Sequence, residues 1–82
     1  MNKFILYVKK ACPFCTEAEN LLLERERNFV SVPFDSKPLV LDQMKQAYEQ
    51  STVPMVFHMR GRQIEFVGGY TDLVEYLNEQ EE

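Results

Sequence analysis

Both cysteines of the chain fall in one stretch, Lys9-Lys10-Ala11-Cys12-Pro13-Phe14-Cys15, two residues apart and behind two lysines. Two thiols at that spacing can close a disulfide, attack one, or contribute to a metal site. Pro13 suits the first position of a helix, where its missing N–H would have had no intrahelical partner. That puts Cys12 at the N-cap, with its sulfur in reach of the free amides of Phe14 and Cys15 and inside the positive end of the helix dipole. Lys9 and Lys10 add nearby positive charge. Each influence favours thiolate over thiol and lowers the Cys12 pKa from its unperturbed value of about 8.5. Cys15, one turn further in and on the apolar side, lacks that environment and should stay protonated. The stretch therefore predicts an attacking Cys12 and a resolving Cys15.

Other uses of the pair explain it less well. A disulfide across two intervening residues closes so small a loop that it removes little chain entropy. A zinc site needs about four ligands, and the remaining soft candidate, His58, is alone and distant in sequence; no metal site is expected, and His58 is taken as structural. Free cysteine can serve as a small buried hydrophobe, which fits Cys15 but not Cys12 between Ala11 and a proline. A C-x-x-C beside a βαβ pattern reads as redox chemistry.

The elements that must position the pair follow from the apolar pattern. Phe4 to Val8 is a continuous apolar run suited to a central strand buried on both faces. From Pro13 to about Arg27, Cys15, Ala18, Leu21 and Leu22 recur at helical spacing between acidic and basic residues. Phe29 to Phe34 alternates, with Val30, Val32 and Phe34 on one face, and Pro33 makes it an edge strand. Asp35-Ser36-Lys37-Pro38 supplies cap and first-turn residues for a second helix carried by Leu41, Met44, Ala47 and Tyr48. Met55 to Met59 and Gln63 to Val67 flank Arg60-Gly61-Arg62 as a hairpin. Thr71 or Asp72 can cap a last helix built on Leu73, Val74 and Leu77. The order β-α-β-α-β-β-α predicts an α/β domain with a mixed four-stranded sheet and three flanking helices. Its first strands are parallel and its closing hairpin antiparallel. Cys12 falls at the carboxyl end of the first strand, where open α/β sheets gather ligands.

Composition narrows the function classes. The 82 residues, 45% hydrophobic, suit one domain spanning 1–82, and a net charge of −4 argues against nucleic acid or a polybasic membrane contact. Lys3, Lys9 and Lys10 make the first sixteen residues basic, whereas Glu79, Glu81 and Glu82 make the end acidic. Five apolar residues after Met1-Asn2-Lys3 are too few for a signal-peptide core or a span, so a reducing cytoplasmic location and a catalytic rather than structural cysteine pair are expected.

Four stretches in register resemble the dithiol glutaredoxin family of the thioredoxin-like superfamily: "CPFC", Lys9 three residues before it, Thr52-Val53-Pro54, and Gly68-Gly69-Tyr70-Thr71-Asp72. The likeness covers essentially the whole chain. A thioredoxin proper would be longer, with a tryptophan before C-G-P-C, and this chain has no tryptophan. The resemblance implies a thioredoxin-like fold and a monomeric enzyme with glutathione as co-substrate and no tightly bound cofactor. Its partners would be disulfide-containing or glutathionylated proteins, ribonucleotide reductase among the candidates. It also implies the binding residues. Lys9 would pair with the glycine carboxylate of glutathione, and Thr52 and Val53 before a cis Pro54 would bond the cysteinyl part. Gly69, Thr71 and Asp72 would hold the γ-glutamyl end at a helix start, with Phe14 and Tyr70 exposed beside it. Read without the family, Lys9 is an ordinary solvated lysine, Gly68-Gly69 a turn and Asp72 a cap. The chain departs from the family at Tyr48-Glu49-Gln50-Ser51, where a glycine is common, and Gln43, Lys45 or Gln50 could assist glutathione. Two other functions share the motif: an electron donor reduced by thioredoxin reductase, which usually lacks the glutathione residues, and a glutathione-bridged iron-sulfur carrier, which typically has a single thiol.

Overall fold

In a computed structural model, which describes residues 2–80, the chain forms β1 (Asn2–Val8), α1 (Pro13–Glu24), β2 (Phe29–Pro33), α2 (Pro38–Ala47), β3 (Met55–Arg60), β4 (Gln63–Gly68) and α3 (Tyr70–Gln80). The carboxylates of Glu81 and Glu82, counted above in the acidic end, lie outside the described residues. The four strands pair in the order β2-β1-β3-β4. β1 runs parallel to β2 and antiparallel to β3, and β3 pairs antiparallel with β4. This is the thioredoxin-like arrangement, with the predicted element order and β2 at an edge.

The alternation of β1 sends its side chains into two cores. Phe4, Leu6 and Val8 pack with Cys15, Ala18 and Leu22 of α1 and Leu73 and Leu77 of α3. Ile5 and Tyr7 point the other way and pack against the core of Phe34, Leu41, Met55 and Phe57. Complete burial of a leucine or phenylalanine side chain contributes about 1.5–3 kcal/mol, so these layers fix the sheet and the helix starts at its end.

Several details differ from the expectation. Val30 and Val32 do share a face, but it is open: both are exposed at the edge of the sheet, while Phe29 packs against the core on the opposite face. The first helix stops at Glu24, because Arg25 caps it and Glu26 turns left-handed (φ 55°). Asp35 does not cap α2, whose N-cap Lys37 makes no side-chain cap bond; its carboxylate instead accepts from the Lys10 amide at 3.0 Å. Neither Thr71 nor Asp72 is an N-cap, since the Gly69 carbonyl already accepts the first helical bond from Leu73 and both residues lie within the first turn. Of the residues expected to carry α2, Leu41 is buried, whereas Tyr48 is 41% exposed and lies just past the helix.

Both α1 and α2 end in the same hydrogen-bonded turn. The Arg27 amide reaches Leu22 O and the Glu26 amide Leu23 O; likewise Gln50 reaches Lys45 O and Glu49 reaches Gln46 O. These are Schellman bonds, and they need a left-handed residue, here Glu26 and Glu49 (φ 53°) rather than glycine. The loop after α2 is thus fixed without the glycine whose absence stood out in the sequence.

Candidate functional site

Pro13 opens α1, and Cys12 is its N-cap with extended backbone (φ −116°). Of the two amides expected to reach the Cys12 sulfur, that of Cys15 does so, at 3.2 Å. The two cysteines are joined as a disulfide across Cα atoms 5.3 Å apart. Their environments are unequal. Cys15 is 3% exposed and belongs to the α1–α3 core, while Cys12 is only partly covered. Cys12 is thus the more accessible of the two sulfurs.

Three segments meet at Cys12. The turn before it carries Ala11 in the left-handed region (φ 52°) and is held to the β2–α2 connection by the Lys10–Asp35 bond. The loop before β3 brings the Val53 carbonyl to 3.8 Å from Cys12 Sγ, followed by a cis peptide to the buried Pro54. The start of α3 forms the third side. There Asp72 accepts the Gly69 amide at 2.9 Å, the acidic half of a capping box. Gly68 (φ +123°) permits the turn, since a Cβ at that position would collide with the Asp72 carboxyl group.

Between them lies a cleft of about 370 Å³, lined by Phe14 of α1, Thr52, Val53 and Pro54 of the loop, and Gly69, Tyr70, Thr71 and Asp72 of α3. The rings of Phe14 and Tyr70 stand 5.9 Å apart; Phe14 is 61% exposed, whereas Tyr70, expected to be exposed as well, is half-buried because it packs against the α1–α3 core. Eight of the predicted binding residues thus come together beside Cys12, although they span most of the chain. Lys9 is the exception: it is exposed at the end of β1 and is not part of the cleft wall. Gln50, one of three candidates that the sequence left unresolved, lines the cleft, whereas Lys45 lines a shallower neighbouring depression. Gln50 spends its amide on the protein itself, donating to Pro54 O at 3.1 Å and Thr52 O at 3.3 Å. Gln43, within α2, does not line the cleft.

His58, taken as structural, is 1% exposed and stacks on Phe4 with ring centroids 4.2 Å apart. Its Nδ1 lies 2.6 Å from the Tyr76 hydroxyl, which donates to Glu65 at 3.3 Å. The hydroxyl therefore accepts from Nδ1–H, and Nε2 is left buried without a partner. Burial pushes the His58 pKa down, reinforced by Arg27 and Arg60 and opposed by Glu65. Burial likewise pushes the Tyr76 pKa up. Among the described residues, no three His, Cys, Asp or Glu side chains gather as a metal site, and no helix is long and apolar enough to cross a membrane.

Comparison with known proteins points to one family. The glutaredoxin family model matches residues 4–64. Glutaredoxin 3 of Escherichia coli strain K12 is 29% identical over 68 residues, covering 83% of this chain and 77% of that protein. A dithiolic glutaredoxin of Trypanosoma brucei brucei superposes with a TM-score of 0.73 at 30% identity, covering 96% of this chain and 79% of that one. A buckwheat glutaredoxin–glutathione complex has a similar fold, with a TM-score of 0.77 at 18% identity over 96% of this chain and 71% of that one.

Proposed function

The chain belongs to the glutaredoxin family, a family of thiol-disulfide oxidoreductases, and from that premise we propose that it is a glutathione-dependent one, reducing glutathione mixed disulfides and protein disulfides through Cys12 and Cys15. The observation that carries this reading is a cleft lined by Val53, Pro54 and Asp72, whose Val53 carbonyl lies 3.8 Å from the more accessible sulfur of the pair. Glutathione is an extended peptide with carboxylates at both ends and an ammonium at one. The Val53 backbone beside the sulfur suits its middle. The Asp72 carboxylate suits the ammonium, and the amides of the α3 start suit the neighbouring carboxylate. Lys9 would meet the glycine carboxylate at the far end by side-chain reach, with Thr52, Gly69 and Thr71 contributing polar contacts and Phe14 and Tyr70 the walls.

The chemistry is two successive exchanges. The Cys12 thiolate attacks the glutathione-side sulfur of a mixed disulfide, forming a Cys12–glutathione disulfide and releasing the partner thiolate. A second glutathione thiolate attacks that glutathione sulfur, so glutathione disulfide leaves and the Cys12 thiolate returns. With a protein disulfide, Cys12 forms the mixed disulfide and Cys15, giving up its proton, displaces the substrate's second thiolate. The internal disulfide that remains is reduced by two glutathione molecules. A single-domain monomer working in the cytoplasm, with glutathionylated proteins or ribonucleotide reductase as partners, fits this cycle.

The test is turnover of a glutathione mixed disulfide with glutathione as reductant, coupled to glutathione reductase and NADPH. Saturable turnover that depends on glutathione is expected. Turnover supported by thioredoxin reductase and not by glutathione would replace this reading with the electron-donor alternative.

A further inference from the structure

Gln50 is one of three residues that could assist glutathione, and its side-chain amide donates to the protein itself. Nε2 donates to Thr52 O at 3.3 Å and Pro54 O at 3.1 Å, the carbonyls on either side of Val53. In the trans peptide unit that Thr52 shares with Val53, C=O and N–H point in opposite directions. Holding Thr52 O on the Gln50 side therefore turns the Val53 N–H to the other side, and the second bond, to Pro54 O, ties the loop to Gln50 on the far side of Val53. The Val53 carbonyl itself lies 3.8 Å from Cys12 Sγ.

We propose that Gln50 is a positioning residue that aims the N–H of Val53 at the cysteinyl backbone of the bound peptide. The effect is electrostatic as well as geometric. A bond accepted at Thr52 O polarises the peptide unit it shares with Val53 N–H, making that N–H a better donor. Two features hold Gln50 for this task. Its own backbone is fixed by the Schellman turn closing α2, through the bond from its amide to Lys45 O at 2.8 Å. Its side-chain amide also lies against Gly69, where an added Cβ would come within 3.3 Å of Nε2 and 3.8 Å of Pro54 O. The absent side chain at Gly69 thus leaves room for the bridge, and the loop and the α3 start become one wall.

The proposal rests on the glutathione reading, and its test separates the two. Gln50→Glu keeps the shape and removes both donors, and Gln50→Leu removes all polarity. Each should raise KM for a glutathionylated peptide by about threefold to tenfold, the worth of one oriented hydrogen bond, with kcat within about twofold of wild type. Iodoacetamide alkylation of reduced Cys12 should be unchanged, and the Val53 amide signal in the ¹⁵N–¹H spectrum of the free protein should shift. Unchanged KM in both variants, or a loss of alkylation rate matching the loss of turnover, overturns the proposal. If the wild type itself makes no use of glutathione, the functional reading falls. The Val53 amide then decides the role of Gln50: a shift in both variants upholds the positioning, and an unmoved signal overturns it.

Discussion

The starts of α1 and α3 face one cleft but use their free amides differently. At α1 the Cys15 amide donates to a sulfur that changes its bonding during reaction, and the residue before the N-cap is a left-handed alanine. At α3 the Gly69 amide is already satisfied by Asp72, and the residue before it is a glycine at an angle few other residues adopt. One start is open, in that its amide serves a redox-capable sulfur, and the other is closed, in that Asp72 of its own first turn satisfies the N-cap amide. Their anchoring differs as well. Cys15, Ala18 and Leu22 hold α1 through apolar contacts, with a bond from the Ser31 hydroxyl of β2 to the Glu19 carboxylate, whereas α3 adds to Leu73 and Leu77 a polar link from Tyr76 to the buried His58.

The largest effect should follow from breaking the open start. Cys12→Ser should abolish all turnover, because a serine hydroxyl at this position is neither ionised nor able to exchange with a disulfide. Cys15→Ser should keep reduction of glutathione mixed disulfides and lose reduction of protein disulfides that need internal resolution. Parallel assays on both substrate types check this, and an active Cys12→Ser protein would invert the roles drawn from burial.

Breaking the closed start should cost less and show in binding. Asp72→Ala removes both the bond to the Gly69 amide and the charge offered to an ammonium group. Asp72→Asn keeps an acceptor for Gly69 and removes only the charge. Asp72→Asn should raise KM for glutathionylated substrate several-fold, about 1 kcal/mol, with stability near that of wild type. Asp72→Ala should show the same rise together with a further loss of about 0.5–2 kcal/mol in unfolding free energy. Equal KM for wild type and Asp72→Asn would show that the cleft does not read the ammonium.

The sequence made much of this visible, for identifiable reasons. Element order was legible because apolar periodicity follows from burial: β1, α1 and β3 bury most of the apolar residues in their patterns, although Ile64 of β4 stays exposed. The N-cap placement of Cys12 was legible because Pro13 fixes where α1 begins. What stayed hidden depends on contacts between distant segments. The Lys10–Asp35 bond spans 25 residues, so Asp35 looked like a helix cap. Asp72 also looked like a cap; it serves the helix start from inside the first turn, because Gly68 and Gly69 let the chain enter α3 two residues early. Gln50 was one of three equal candidates until its reach to Thr52 and Pro54 was known. His58 could be placed in a strand, but its partner Tyr76 lies 18 residues away on another element.

His58 gives α3 a sensitivity that α1 lacks. Its folded pKa is lowered from 6.5, chiefly by burial, so the folded state binds fewer protons than the unfolded chain once the pH falls below that value. Its contribution to stability is therefore complete above pH 6.5 and declines as the pH drops towards the folded pKa. Urea unfolding midpoints should fall with acidification in the wild type, with a smaller decline in His58→Phe. Native-state hydrogen exchange should show α3 amides losing protection before those of α1. Equal acid sensitivity in the variant would move the cause elsewhere.

The smallest effect concerns the alanine at the open start. A left-handed conformation costs a residue with a Cβ roughly 1 kcal/mol or more relative to glycine, and Ala11 bears that cost at φ 52°. Glycine would remove the strain but add freedom to the unfolded chain, so Ala11→Gly should gain only about 0.5 kcal/mol. In a chain of this size that corresponds to a rise of a few degrees in Tm, measurable by calorimetry on the oxidised protein. The Lys10 amide bond to Asp35 and the Cys12 cap geometry do not involve the Ala11 side chain, so turnover and Cys12 alkylation should be preserved. A gain in stability with a loss of alkylation rate would mean that the stiffness of alanine at φ 52° helps hold Cys12 at the helix start. That outcome would sharpen the contrast with α3, where glycine at the equivalent position leaves rigidity to Asp72.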